Sequence, residues 1–105
     1  MEELIKNYEE MDWEVAEGYP TGTQIKVLCA HNGARTFILN LPPGFEMESH
    51  SHMYNEQHLV LQGSYSGEDV TYQKGAYRHI PKHTNHGPFR SDTGAEILVF
   101  YDTMD

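Results

Sequence analysis

After residue 12 this chain is interrupted by turn-forming residues about every ten positions, and such spacing leaves room for little except short strands. The interruptions are Gly18-Tyr19-Pro20-Thr21-Gly22, Asn32-Gly33, Pro42-Pro43-Gly44, Gly63, Gly75, Pro81 and Ser91-Asp92-Thr93-Gly94. Residues 23–30 alternate with a period of two, as a half-buried strand does. Asn32-Gly33 is a two-residue hairpin signal, because both residues accept positive φ, so 35–41 reads as the returning strand. Residues 45–52 and 57–62 read as the next pair, joined by Met53-Tyr54-Asn55-Glu56 and ended by Gly63. Shorter segments follow at 64–66, 69–73, 76–80 and near 87–90, and 95–101 reads as a strand buried on both faces. About eight to ten short strands with no helical segment after residue 12 predict an all-β sandwich or barrel. Residues 2–10 are different. Leu4, Ile5 and Tyr8 fall at helical spacing, so residues 1–12 are expected as a short N-terminal helix or arm. With 105 residues in all, one barrel domain over 13–105 is the natural division.

Charge narrows the function. The formal net charge of −9 argues against nucleic acid as a partner, since no basic patch can offset phosphate. No run approaches the ~18 apolar residues of a membrane span, so no membrane partner is expected. The acidic start Met1-Glu2-Glu3 is the opposite of a secretory signal, which makes the cytoplasm the expected location. The single cysteine, Cys29, excludes an internal disulfide framework and is expected as a packed thiol on the face of Ile25 and Val27.

The histidines carry the chemistry. His50 and His52 lie two apart on an expected strand, so both project to one face and can converge on one ion. Glu56 follows the turn and can supply a hard oxygen from the neighbouring strand. His86 follows the rigid loop that opens at Pro81. Three imidazoles and one carboxylate suit a single divalent transition metal, Fe, Mn, Ni, Co, Zn or Cu, with one or two positions left open. A closed structural zinc site would call for thiolates, and the chain has one. A histidine pair at this spacing also arises by chance in a chain with seven histidines.

The joint spacing goes further, and resembles the cupin superfamily. The first cupin motif is glycine, five residues, histidine, one residue, histidine, three residues, glutamate, six residues, glycine. Gly44, His50, His52, Glu56 and Gly63 match it at every step. The second motif is matched by Gly75, Pro81 and His86, with His83 where glycine is usual and Arg90 where asparagine is usual. His83 in that place suggests a loop with no need of a positive φ there. The resemblance implies a double-stranded β-helix, or jelly roll, with a metal inside one open end held by His50, His52, Glu56 and His86. The stretches His58–Tyr65, Gly75–Tyr77 and His86–Phe89 are most similar to the branch that holds acetylacetone-cleaving dioxygenases and the sensory cupins of zinc-binding anti-sigma factors.

Period-two parity extends the pocket. With Glu56 inward, His58, Val60 and Gln62 follow; with His50 inward, Glu48 and Glu46 follow; with His86 inward and the chain extended, so does Arg90. His58 is a candidate acid/base or substrate-holding group, or else a satisfied buried histidine. Arg90 is a candidate anion anchor, or else an ordinary surface arginine. Phe37, Leu39, Tyr65, Tyr77, Leu98 and Phe100 are expected to divide between core and pocket wall. Three functional readings stay open. One is a metal-dependent enzyme acting on a small oxygen-rich substrate, whether a dioxygenase, an isomerase or a lyase. The second is a sensory or regulatory module whose metal anchors a ligand. The third is a barrel with a merely structural metal. Edge strands and the apolar Leu4, Ile5, Tyr8 and Trp13 point to a homodimer.

Overall fold

A computed structural model describes residues 2–48, 50–51 and 53–102, with the backbone alone for His50, Ser51 and His86. Among the described residues the chain forms a 3₁₀ turn at Tyr8–Glu10 and eleven strands. These are β1 (Glu14–Val15), β2 (Gln24–His31), β3 (Ala34–Leu41), β4 (Phe45–Met47), β5 (His50–Ser51) and β6 (Asn55–Ser66). They continue with β7 (Thr71–Gln73), β8 (Tyr77–Ile80), β9 (Asn85–His86), β10 (Phe89–Ser91) and β11 (Ala95–Asp102).

All pairings are antiparallel. The main sheet runs β1-β2-β3-β11-β6-β10-β4, with β7 and β8 also on β6, and β5 pairs with β9 in a separate ribbon. β6 organises the curl. Its first half lies between β11 and β8, and its second half turns to meet β7 and β10. The bend falls where the β11 register shifts, between Glu96 and Ile97. Gly63 sits there at φ 70°, and a Cβ on it would collide with the carbonyl oxygen of Gly94. Gly63 therefore does not end a strand, as its position suggested; it lets one strand of 12 residues serve both halves of the barrel.

The hairpin forms as expected, with Asn32 at φ 50° and Gly33 at φ 85°, the two left-handed residues of a type I′ turn. The ladders stack cross-strand rows on the inner face: Arg35–Tyr101–Glu56–Ile80, then Phe37–Val99–His58–Arg78, then Leu39–Ile97–Val60. The apolar members of the lower two rows join Leu41, Phe45, Tyr65, Phe89 and Ala95 in the core. Burying each large apolar side chain contributes about 1.5–3 kcal/mol before chain entropy is counted. β11 is buried on one face only. Ala95, Ile97 and Val99 are enclosed, whereas Glu96, Leu98 and Phe100 on the outer face are half-covered.

The N-terminus is an arm rather than a helix, apart from the 3₁₀ turn capped by Asn7. It lies on the outer face of β2, where a lysine holds it. Lys26 is buried, donates to the Tyr8 carbonyl at 2.7 Å, and sits 4.3 Å from the centre of the Trp13 ring. The ammonium thus keeps a strong acceptor and an aromatic face in place of water. Cys29 joins this outer side. The register shift between Val27 and Cys29 turns the thiol away from the face of Ile25 and pairs it with Thr36, beside Leu4 and Tyr8. The expected packed core thiol is therefore a half-buried one under the arm.

Candidate metal centre

The site builds on Glu56, the second residue of β6 and an inward member of the outermost cross-strand row. Its neighbours across the ladder are Tyr101 and Ile80. The residue is 8% exposed, so its carboxylate must find a donor or a cation to offset lost hydration. His58, two residues on and on the same face, supplies one donor, with Nε2 at 2.5 Å from Glu56 Oε2. The other ring nitrogen, Nδ1, lies 2.6 Å from the hydroxyl of Tyr65. Carboxylate oxygens only accept, so Nε2 carries a proton toward Glu56. Tyr65 then donates to Nδ1. The phenol keeps that proton because burial pushes its pKa up to about 12, even with the Arg78 guanidinium acting the other way. The result is a chain of three buried side chains, Tyr65 to His58 to Glu56, that sets both the histidine tautomer and the carboxylate orientation.

Around this chain is a narrow cavity. Leu39, Leu41, Phe45, Met47, Phe89 and Ile97 give apolar walls, and Glu56, His58, Tyr65 and Tyr19 give the polar atoms. Its volume of about 30 Å³ holds a water or two rather than an organic molecule. Burial and the Glu56 carboxylate both raise the pKa of Tyr19, so the cavity presents it as a neutral phenol.

Of the other candidate ligands, His50 and His86 lie in the ribbon of β5 and β9, and the loop that leads into β9 is tied to the start of β6, where the Lys82 N–H donates to Asn55 Oδ1 at 3.0 Å. β5 and β9 pair so that His50 and His86 are direct cross-strand partners, a register with Cα atoms about 4.5–5.5 Å apart. His52 lies outside the described residues, as do the side chains of His50 and His86. Glu56 is therefore the candidate ligand whose side chain is described. The donor chemistry fits a divalent metal. A buried, oriented carboxylate sits on the inner face, and two of three histidines are brought together by the backbone at the same end.

Irregularities in the strands reverse the expected alternation at several positions. Val60 is buried but Gln62 is exposed, because the bulge before Gly63 reverses the alternation and brings Tyr65 inward instead. Glu46 and Glu48 are exposed; Phe45 and Met47 of β4 face the cavity, since β4 ends at Met47 and β5 belongs to another ladder. Arg90 is not in the cavity. The chain breaks between β9 and β10 at Gly87-Pro88, so Phe89 and Ser91 are buried and Arg90 points outward. Its guanidinium lies 4.0 Å from Glu46 and 3.7 Å from Asp92, at the surface. His83 also corrects an expectation. Its φ is 64°, so the loop does take the left-handed conformation that glycine adopts at no steric cost. Of the aromatic candidates, Phe37 and Tyr65 are enclosed, whereas Tyr77 is on the outer face and donates to Gln57.

One group at this end was not singled out from the sequence. Arg35 is in phase with Phe37 and Leu39, and a charged residue on an apolar strand face was the available signal. Its Nη1 donates to the Tyr101 hydroxyl at 3.1 Å, and Tyr101 stacks on Tyr54 with ring centres 4.1 Å apart.

The family model of the ChrR cupin-like domain matches residues 1–105. Comparison with curated protein sequences returns no significant match. Among solved structures, the fold is similar to a chain of the Rhodobacter sphaeroides complex of SigE with the anti-sigma ChrR. There the TM-score is 0.75 at 23% identity, with 92% of this chain and 52% of that chain covered. This chain thus spans about half the length of that one. An acetylacetone dioxygenase from Acinetobacter johnsonii superimposes with a TM-score of 0.79 at 17% identity, over 100% of this chain and 79% of that chain. KdgF from Halomonas sp. gives 0.77 at 22% identity, over 100% and 97%. At these identities the likeness shows the fold, which is the cupin barrel that the glycine, histidine and glutamate spacing implied.

Proposed function

The chain belongs to the ChrR cupin-like family, and from that premise we propose that it binds one divalent transition metal and acts with it on a small oxygen-rich organic molecule. His50, His52, Glu56 and His86 would hold the ion at the open end of the barrel. The observation that carries this reading is the Tyr65–His58–Glu56 chain, which presents a buried carboxylate to the cavity in one fixed orientation. A bound metal would supply Lewis acidity toward a pair of substrate oxygens and, if it is iron, access to O₂ chemistry. His58 holds its proton at Nε2 and keeps the Glu56 carboxylate from rotating. The apolar walls limit water around the site, and the narrow cavity leaves the organic molecule at the mouth. Arg90 has no part in this reading, because it faces solvent.

Metal loading tests the proposal directly. Chelator competition with Fe(II), Zn(II) and Ni(II) should show one tight site per chain, and His86→Ala should weaken it by about tenfold or more. Unchanged affinity in His86→Ala removes that ligand assignment. Oxygen uptake by the Fe(II) form with β-diketones, enols and catechols then tests for oxygenase chemistry.

The similarity to a chain of the SigE–ChrR complex favours a second reading, a regulatory module in which the metal anchors a ligand without turnover. It gains if only Zn(II) loads and no compound is consumed. On either reading we place the protein in the cytoplasm. Among the described residues, no helix is long and apolar enough to cross a membrane. Pairing with a second copy is proposed through the β1 edge and the exposed Ile5 and Val15. Sedimentation showing only monomer at micromolar concentration would reject the pairing.

A further inference from the structure

We infer that Arg35 anchors an anion subsite at the mouth of the barrel, one that takes the carboxylate of a planar organic acid. The inference rests on the reading that the molecule acted on sits beside Glu56, and it narrows the class of that molecule. Arg35 shares the inner-face row of Tyr101 and Glu56, two strand spacings from the carboxylate, or about 10 Å between Cα atoms. Its guanidinium lies 5.3 Å from the centre of the Phe37 ring and 5.8 Å from that of Tyr101. Among the described residues its one hydrogen bond is to the Tyr101 hydroxyl. Among the described residues no carboxylate pairs with it, although the chain has 16 Asp and Glu against 7 Lys and Arg. A half-buried guanidinium has five donors in a planar fork, and most of these remain for a ligand. Aromatic surroundings strengthen an ion pair there by displacing water, and the fork matches a carboxylate through two parallel hydrogen bonds. The stacked pair of Tyr54 and Tyr101 adds a flat wall beside the fork, suited to a planar body. In a protein of net charge −9, whose overall field repels anions, an inward arginine with no carboxylate partner among the described residues is a local exception that selects them.

Benzoate and benzamide, one ring with and without the charge, test the inference by calorimetric titration into chelator-treated protein. Wild type should bind benzoate about tenfold or more tightly than benzamide. Arg35→Gln should lose that preference, and Arg35→Lys should keep part of it, since a point charge replaces the fork. Equal binding of the two probes by wild type, no binding of either, or a preference that survives in Arg35→Gln overturns the subsite. Zn(II) affinity is measured separately. It should change by no more than about twofold in Arg35→Gln, and a larger loss would make Arg35 a support of the metal ligands rather than an anion anchor. Failure of wild type to bind Zn(II) would overturn the metal reading alone.

Discussion

At the residue scale, the site depends on which atom carries a proton and which carries none. His58 donates from Nε2 to Glu56 while Nδ1 accepts a hydrogen bond from the Tyr65 hydroxyl. Tyr65→Phe removes that donor at a buried acceptor, which should cost about 1–3 kcal/mol of stability. The imidazole is then no longer held in one tautomer, so Zn(II) affinity should also fall, by about tenfold. An apolar packing role for Tyr65 predicts no change in Zn(II) affinity, so chelator competition on the two proteins separates the cases. His83 gives a prediction of opposite sign. At φ 64° it holds a conformation in which a Cβ crowds the following carbonyl. His83→Gly should relieve part of that cost and raise the urea midpoint by the equivalent of about 0.5–1 kcal/mol. A lowered midpoint would mean that the side chain makes compensating contacts.

At the scale of elements, two irregularities do more than the regular strands to shape the protein. The first is the bulge of β6. Gly63 combines a left-handed φ with the close approach of the Gly94 carbonyl, and neither tolerates a side chain. Gly63→Ala should cost about 2–4 kcal/mol, lowering the melting temperature by about 10 °C or more. Calorimetry measures this, and a shift of only a degree or two would show that the bulge relaxes. The second is the arm. Lys26 is clamped between the Tyr8 carbonyl and the Trp13 ring, so Lys26→Ala should free the arm and shift Trp13 fluorescence to the red. An unshifted spectrum would mean that apolar contacts alone hold the arm.

At the scale of the whole molecule, proton linkage sets an alkaline limit. Burial raises the pKa of both Tyr19 and Tyr65 above the ordinary 10.0. As pH rises past ~10 the unfolded chain loses these protons first, so it binds fewer protons than the folded one and stability falls. The contribution is complete below pH ~10 and lost as pH climbs toward the folded values. Urea midpoints at about pH 9, 10 and 11 should fall slightly over the first step and more steeply over the second. Tyr19→Phe should make the drop shallower.

Much of this protein was legible in one dimension because it depends on local rules. Strand alternation, the Asn32-Gly33 hairpin and the glycine, histidine and glutamate spacing are properties of neighbouring residues, and they specify an all-β barrel with Glu56 and His58 on its inner face. Parity is also local, but it holds only until a strand bulges or stops. For that reason it went wrong at Gln62, Glu46, Glu48 and Arg90, and also at Cys29, each beyond a register shift or a strand break. The roles of Tyr65 and Arg35 were decided by tertiary structure alone. Tyr65 returns to the inner face only through the bulge that Gly63 permits. Arg35 comes into the row of Glu56 only because β11, from the far end of the chain, lies between their two strands. A sequence states which residues alternate; which of them meet across a ladder is set by long-range pairing, and that pairing places an arginine and a glutamate at the same end of the barrel.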